Sequence, residues 1–545
     1  MKFIFLCNRL CLLDFLTNNQ KTSIHEIIYI VFNKGWLFMK KTAITLMMIA
    51  IISKVVGLMR DIVLSYFYGT SQISDVYIIS ITIPTVMFSI VMMGLSSGYI
   101  PIYLKIAAEK GNESATSFTN NLISIIIILC TFIVFSGFIF TEQIVRIFAS
   151  GFQGETLVLA IKFTRLSIFA IYFMGVVSIF TDYLRMKGSY IIPSIIVVFP
   201  NVVLVILIIA SYYFGVMLLA GTTLIVSILS VILLTPFVRK NGFKYRWYCN
   251  LNDENLHKPI FIAIPLILGV AVNQINILVD RTLASRITIG GISALTYAGR
   301  LNQIVQGIFV LSLINVMYPI ISKRAVDDDH KGFKEIIKET INIINLLVIP
   351  ATIGLIVFSP QIVKLLFGRG AFDEKAILMT SNVLLFYSLG IIGIALREVL
   401  ARAFYSLQDT KTPMINASIA VFLNIALNIA LSSIMGISGL ALATSISALF
   451  CTFLLFISLR KKIGPFGIKQ ISISFLKILF ASLVMGGLAK LSFNYLTASL
   501  SQNLSLLIAI GVGAVSYFVI IYFMKIEDVD VIVGEIKKKL GRGAA

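Results

Sequence analysis

Long apolar runs separated by short polar segments dominate this chain. Windows of about 20 residues, the length that crosses a bilayer core as a helix, recur fourteen times along the sequence. They lie at 42–67, 76–104, 118–140, 157–182, 190–211, 214–237, 259–284, 293–320, 338–359, 377–404, 412–434, 436–459, 471–495 and 503–524. The short alternating segments of a transmembrane barrel are not seen. The pattern predicts an all-α integral membrane protein with 14 transmembrane helices.

The composition agrees with this class. Of the 545 residues, 58% are hydrophobic and 13% are charged, whereas soluble domains are about half apolar and about a quarter charged. A net charge of +20 could indicate a nucleic-acid partner. The Lys and Arg residues fall in short segments between apolar runs, however, as the positive-inside rule describes, so no nucleic-acid partner is expected.

The basic segments also predict the orientation. With fourteen spans, all of them lie on one side of the membrane, which the positive-inside rule identifies as the cytoplasm. Both chain termini are therefore expected to be cytoplasmic. The basic clusters are Lys40/Lys41, Lys105/Lys110, Arg185/Lys187, Arg239/Lys240/Lys244/Arg246, Lys323/Arg324, Arg402/Lys411, Arg460/Lys461/Lys462 and the tail EIKKKLGR.

Residues 1–38 do not fit the repeating pattern. Arg9 and Asp14 interrupt an apolar run that is too short to span a bilayer. Met39 precedes a basic flank and the first full span. We expect translation to start at Met39, which makes 1–38 a doubtful extension; the alternative is a short amphipathic anchor.

An internal repeat divides the chain. Arg60 and Arg281 are 221 residues apart, as are Gly69 and Gly290. GYIPIYLK in the first half corresponds to VMYPIISK in the second at a similar offset. The predicted units are the extension at 1–38, an N-terminal lobe at 39–240, a C-terminal lobe at 241–462, and two further helices with a basic tail at 463–545.

Two lobes of six spans each have the same orientation, so the repeat axis runs along the membrane normal. Transporters built in this way bind their substrate between the lobes. Arg60 and Arg281 are then expected to face each other across one cavity. Their acidic neighbours Asp61 and Asp280 point about 100° away on each helix, so each pair could offer one member to the cavity and one to another helix. Structural ion pairs are the alternative.

Ionisable residues in a span are candidate functional sites because a central charge costs about 2.5–3.5 kcal/mol on insertion scales. Arg residues outnumber carboxylates here, which suits an anionic ligand since guanidinium groups bind phosphate in a bidentate manner. Arg286 and Arg402 are also explained as side chains that extend to the membrane interface. The candidates are Lys54, Arg60, Asp61, Asp75, Asp280, Arg281, Arg286, Arg300, Arg397, Glu398 and Arg402.

The common ATPase and zinc-protease motifs are missing from the sequence. There is no GxxxxGK[ST] or HExxH, and the five cysteines form no CxxC. An enzyme is not expected. The remaining classes are a carrier driven by an ion gradient or membrane potential, and a non-transporting membrane scaffold.

Three stretches resemble one family. SKVVGLMRDIVLSYFYGTSQISDVYIISITIP, FGRGAFDE and AFYSLQDTKTP are similar to the MurJ (MviN) family of lipid II flippases, within the multidrug, oligosaccharidyl-lipid and polysaccharide exporters. The resemblance runs from about Met39 to the end of the chain. It implies two pseudo-symmetric lobes and a cationic cavity that opens alternately to each side of the bacterial cytoplasmic (inner) membrane. The implied substrate is lipid II, the undecaprenyl-pyrophosphate glycolipid used for peptidoglycan and cell-wall synthesis.

The resemblance also assigns site residues. Family positions in spans 1, 2, 7 and 8 imply substrate binding by Arg60, Asp61, Asp75, Arg281 and Arg300, with Lys54, Asp280, Arg397 and Glu398 as further candidates. This chain departs from the family pattern at four positions. Many members have two Arg after the proline of span 2, and some have acidic residues around the Arg of span 8. The residues here are Phe88, Ser89, Gly299 and Gln303.

Some relatives hold sodium between spans 7, 11 and 12, which implies Asn424, Asn428 and Thr444 as possible ligands here. No carboxylate is expected beside them, and Asn side chains also join helices by hydrogen bonds. No other cofactor is expected. The lipid tail is expected beside spans 13 and 14. A monomer, possibly near cell-wall synthesis enzymes, is the expected state.

Other functions remain open at this point. The chain could export another lipid-linked oligosaccharide, or be a drug/cation antiporter of the same superfamily. Drug antiporters of that group usually have twelve spans and acidic cavities, unlike the pattern seen here. A non-transporting cell-wall scaffold would not need paired cavity arginines.

Overall fold

A computed structural model describes residues 24–250, 253 and 274–524, without the side chains of 24–44, 47 and 90–98. All regular elements in these ranges are helices, so the prediction of an all-α protein is confirmed. A polar backbone in lipid must form its own hydrogen bonds, and helices do so within one segment. Residues 1–23, most of the link between the predicted lobes, and the basic tail lie outside the described residues.

Residues 24–240 contain eight helices. The first continues toward the N-terminus beyond the predicted window, as far as Ile24. The helices are α1 (Ile24–Tyr68), α2 (Gln72–Glu109), α3 (Gly111–Ile139), α4 (Thr141–Phe148), α5 (Gly154–Ser167), α6 (Ala170–Met186), α7 (Ile191–Phe214) and α8 (Val216–Lys240).

The second half repeats this order and adds two helices. Its first helix is described over residues 274–287 and is called α9. The others are α10 (Gly291–Val305), a π-helix (Gln306–Leu311), α11 (Ser312–Val326), α12 (His330–Val357), α13 (Ser359–Phe367), α14 (Glu374–Leu389), α15 (Ile391–Ser406), α16 (Lys411–Met435), α17 (Ile437–Ile463), α18 (Ile468–Leu496) and α19 (Gln502–Phe523).

Twelve segments of the described residues are long and apolar enough to cross a membrane. They coincide with twelve of the predicted windows. The first window lies inside α1, and the seventh ends in α9 after residues outside the described ranges. The prediction of an all-α, multi-span membrane fold is therefore confirmed, with twelve of the fourteen predicted spans found complete among the described residues.

Three of the predicted spans are interrupted. The fourth breaks between α5 and α6, the tenth breaks at Gly390 between α14 and α15, and the eighth contains the π-helix. There is a steric reason for glycine at position 390, because a Cβ there would lie 2.7 Å from the Cα of Ser445 on α17. The short helices α4 (TEQIVRIF) and α13 (SPQIVKLLF) begin 218 residues apart, which adds a copy to the internal repeat.

The three largest clusters of buried side chains lie within the first half, within the second half and between the two. The first includes Tyr103 and Tyr183, and the second includes Phe404 and Leu455. The joining cluster draws on α1, α2, α9, α10 and α14. Helices α18 and α19 pack against α12, where the Tyr517 hydroxyl donates to the Leu346 carbonyl at 2.7 Å. The exact boundaries of the two lobes stay a prediction.

Candidate functional site

Arg60 and Asp61 form the first part of the site, on α1. The Arg60 guanidinium donates from Nε and Nη2 to Asp61 Oδ1 at 2.9 and 2.7 Å. Its Nη1 donates to Asn201 Oδ1 on α7 at 3.0 Å. The two neighbours therefore form an ion pair, which is one of the two alternatives that the sequence left open.

Arg300 of α10 completes this group from the other half. Its Nε lies 3.0 Å from Asp61 Oδ2, and its Nη1 donates to Gln303 at 3.1 Å. One carboxylate, 4% exposed, thus lies between two guanidinium groups whose exposed fractions are 19% and 41%. Arg281 was expected opposite Arg60, but the arginine that shares Asp61 with it is Arg300. The group carries a net positive charge.

Arg281 makes its contacts within the second half. Its Nη1 donates to the Ile292 carbonyl at 2.9 Å and to Thr296 Oγ1 at 2.6 Å. Both acceptors belong to the first two turns of α10. Arg281 therefore fixes α9 against α10, the helix that carries Arg300.

Asp75 joins the two halves and lines a pocket together with Gln72, Gly151 and Ser285. Its carboxylate, 2% exposed, accepts the backbone N–H groups of Gly290 and Ser293 at 2.8 Å each. These are free N–H groups at the start of α10, where a helix favours a negative charge. Asp75 therefore has a structural role at this contact, and its assignment to substrate binding stays a prediction.

Two loops close over the helix ends of the opposite half. Gly151, between α4 and α5, donates its N–H to Ser285 Oγ on α9 at 3.0 Å. Ala371, between α13 and α14, donates its N–H to the Tyr66 carbonyl on α1 at 2.8 Å. Gly290, with φ +79°, packs against the Thr70 carbonyl, so a Cβ there would clash. We call these contacts and the Asp75 bonds the outer clasp, because they lie at the helix ends remote from the basic loops.

A second polar group lies on α9, α16 and α17. Asn428 Nδ2 donates to Asp280 Oδ1 at 2.7 Å and to Asn424 Oδ1 at 2.8 Å. Asn424 Nδ2 donates to Thr444 Oγ1 at 3.4 Å. The expectation that no carboxylate lies beside these residues is wrong, since Asp280 is there. Hydropathy and alignment could not find this contact between residues 148 positions apart.

The oxygen atoms of this group fit a small cation. Asn428 Oδ1 is buried and has no hydrogen-bond partner among the described residues, so one ligand position is unused. One carboxylate with amide and hydroxyl oxygens is the donor set that a hard cation prefers. The described residues contain no cluster of three or more His, Cys, Asp or Glu side chains.

The remaining candidates are spread out. Lys54 of α1 contacts the π-helix of the other half. A Cβ added to Gly307 would lie 3.5 Å from Cε of Lys54. Arg397 and Glu398 form a loose pair at 3.7 Å on α15. The guanidinium carbon of Arg402 lies 5.4 Å from the Tyr318 ring centroid.

A feature of the sequence around Asn201 could have indicated its position in the site. This residue is an amide directly after Pro200, inside an otherwise apolar predicted span, and such residues commonly face a protein interior. The two clasp loops carried a signal as well, in the similarity of TEQIVRIF and SPQIVKLLF just before them.

Comparisons with known proteins agree on one family. The family model described as "Lipid II flippase MurJ" matches residues 64–511. The probable lipid II flippase MurJ of Thermotoga maritima is 29% identical over 479 residues, covering 88% of this chain and 95% of its own length. A solved structure of "Lipid II flippase MurJ, inward closed conformation" matches with TM-score 0.77 and 27% identity, covering 90% of this chain and 100% of its own. An inward-facing MATE family transporter shares the fold, with TM-score 0.66 at 14% identity over 77% of this chain and 98% of its own.

Proposed function

The chain belongs to the MurJ family of lipid II flippases, and we propose that Arg60, Arg300 and Lys54 bind the pyrophosphate of its substrate. As a member of this family the protein is a multi-pass transporter of the inner membrane that moves lipid II between leaflets by alternating access, for peptidoglycan and cell-wall synthesis. The residues that bind the headgroup, the identity of the coupling ion and the orientation in the membrane are parts of this proposal.

The observation that supports the pyrophosphate site is the Asp61 carboxylate between Arg60 and Arg300. Two guanidinium groups from different lobes are held at hydrogen-bonding distance from one anion. A pyrophosphate offers more charge and more acceptor oxygens than a carboxylate does, and guanidinium groups bind it in a bidentate manner. Asp61 therefore keeps the two arginines oriented before the substrate binds.

The two arginines belong to different lobes, so the substrate can change the distance between the lobes. Without a bound anion the two guanidinium groups repel each other, and only the Asp61 carboxylate between them offsets this repulsion. Bound pyrophosphate compensates their charge and favours the state in which the lobes are close on the cytoplasmic side. A ligand shifts an equilibrium only through such differential affinity. Release then requires the outer clasp to open.

Asp280, Asn424, Asn428 and Thr444 would hold a sodium ion in this proposal. The ion supplies positive charge that compensates Asp280. Asp280 directly precedes Arg281, which fixes α10 through Ile292 and Thr296. Occupation of this site would therefore bias the position of the helix that bears Arg300.

The proposal also covers the orientation, the position of the lipid tail and the oligomeric state. Both termini face the cytoplasm, because every basic loop lies on one side. The lipid tail lies along the apolar surfaces of α18 and α19. The protein acts as a monomer, since the substrate path lies between two lobes of one chain, and it works near the cell-wall enzymes that make and use lipid II.

Complementation tests this proposal. A strain whose own lipid II flippase is under conditional control should grow on this chain after depletion. Arg60→Ala and Arg300→Ala should abolish growth at normal membrane levels on an immunoblot, while Arg165→Ala, an exposed arginine stacked on Phe138, should not. A non-transporting scaffold would tolerate the first two changes. Growth supported by both of them would refute the pyrophosphate site.

A further inference from the structure

One segment on the cytoplasmic side has exposed aromatic and basic side chains that the fold does not require. Residues 243–250, here called the strap, follow α8 without regular secondary structure and contact α3. Asn121 of α3 exchanges two hydrogen bonds with the backbone of Asn250, at 2.9 and 2.7 Å. Asn120 Nδ2 donates to the Lys244 carbonyl at 3.3 Å. The strap is therefore held in one place on the N-terminal lobe.

Its first residue has a structural role. Phe243 is buried, with its ring centroid 5.3 Å from that of Tyr183 and 5.9 Å from that of Phe180. The second lobe has a counterpart in Phe466, also buried and stacked on Phe456 with centroids 6.1 Å apart. Each lobe thus anchors the segment after its last helix with one buried phenylalanine.

The two segments differ after this buried phenylalanine. The difference shows which side chains of the strap the fold does not need. The strap exposes Tyr245, Trp247 and Tyr248, of which Trp247 is 62% exposed. From Arg460 to Gln470 the equivalent segment contains no Tyr or Trp. The same fold therefore forms without exposed aromatic residues.

The strap also lies at the right depth for lipid headgroups. It contacts α3 at Asn120, Asn121 and Ser124, where a polar stretch gives way to the apolar run LISIIIILC. Trp and Tyr concentrate at this level of a membrane. Residues 239–250 contain four basic residues, Arg239, Lys240, Lys244 and Arg246, and no acidic one.

We propose that the strap is a binding site for anionic phospholipid headgroups of the inner leaflet. Lys244 and Arg246 contact the phosphate groups, while Trp247 and its tyrosine neighbours lie among the upper acyl chains. Basic residues close to an anionic surface are attracted at short range, and salt screens this attraction. Such a site fixes the N-terminal lobe in the bilayer while the other lobe moves.

Lipid-specific fluorescence quenching tests the site. The chain has two tryptophans, so Trp36→Phe leaves Trp247 as the only emitter in the full-length protein. This protein is reconstituted into phosphatidylcholine vesicles that contain equal amounts of either brominated phosphatidylglycerol or brominated phosphatidylcholine. Trp247 should be quenched more strongly by the anionic lipid, and added salt should reduce the difference.

Paired charge variants give the control. Lys244→Gln with Arg246→Gln should lower the anionic preference at least about fivefold at low salt. Arg460→Gln with Lys461→Gln removes the same charge from the equivalent segment and should leave the preference unchanged. Equal quenching by both lipids, or a preference that survives the strap variant, would overturn the proposal. Quenching by neither lipid would also overturn it and would assign the strap to a protein partner.

Discussion

The carboxylate of Asp75 on α2 accepts the backbone N–H of Gly290 at the start of α10, 215 residues away, at 2.8 Å. This bond links the two lobes at the end remote from the basic loops. A second bond, from the N–H of Ser293, uses the other carboxylate oxygen. The two bonds satisfy a helix N-terminus of one lobe with a charge from the other.

Asp75→Asn should therefore weaken the outer clasp. An amide has one acceptor oxygen instead of two and no charge for the helix N-terminus, and loss of a hydrogen bond to a charged group costs about 1.5–3 kcal/mol. We expect the equilibrium to shift toward states open to the outside. A cysteine introduced at Gly299, next to Arg300, should then react faster with an impermeant thiol reagent in intact cells. Unchanged labelling would show that Asp75 does not hold the clasp.

Gly151→Ala should open the same clasp by a steric route. A Cβ on Gly151 would overlap the Ser285 carbonyl on α9, and this glycine is not in the left-handed region, so no backbone strain is added. We expect slower flipping and greater outside access. Gly354→Ala is the matched control because nothing lies within 4 Å of a Cβ there. Equal activity of the two variants would mean that the loop moves aside freely.

Much of this fold follows from hydropathy, and the parts that do not have physical reasons. A window of about 20 apolar residues reports partition into lipid, so it located the spans, whereas their direction across the membrane stays a prediction. It carries no information on backbone continuity. The breaks beside Ile168 and Gly390 were missed because both sites are as apolar as the helices around them.

The site was predicted in part for a similar reason. A charge inside a span is visible in the sequence, which singled out Arg60, Asp61 and Arg300. Their pairing depends on how α1 and α10 approach each other, and the repeat offset pointed to Arg281 instead. Asn201 was missed because one amide costs much less in a membrane than a charge does.

Sodium should stabilise the purified protein through the Asp280 group. A ligand that binds only the folded state raises the free energy of unfolding by RT ln(1 + [L]/Kd), so the thermal midpoint should rise with sodium and not with choline. Asp280→Asn and Asn428→Ala should abolish this rise. Asn416→Ala removes another buried amide of α16, hydrogen-bonded to Ser458 at 3.0 Å, and should retain it. A sodium effect that persists in Asp280→Asn would place the ion elsewhere.

Cys249 offers a direct test of orientation. It is exposed in the strap, whereas Cys130 and Cys451 are buried. If the basic loops are cytoplasmic, Cys249 should react with an impermeant maleimide in inside-out vesicles and not in intact cells. Cys249→Ser identifies the signal. Labelling of Cys249 in intact cells would contradict the proposed orientation.

Arg300→Lys should separate charge from geometry at the pyrophosphate site. Lysine keeps the positive charge but lacks the planar fork that binds two oxygens at once, and its shorter donor group loses the contact with Asp61. Losing a hydrogen bond to a charged group costs about 1.5–3 kcal/mol, so pyrophosphate-lipid binding should weaken about 10- to 100-fold. The measurement is the lipid II concentration that half-saturates the thermal stabilisation of purified protein. Arg60→Ala combined with Arg300→Ala should weaken binding by less than the product of the single effects, because both arginines act on one anion. Independent, multiplicative effects would place the two arginines on different ligands and refute a shared site.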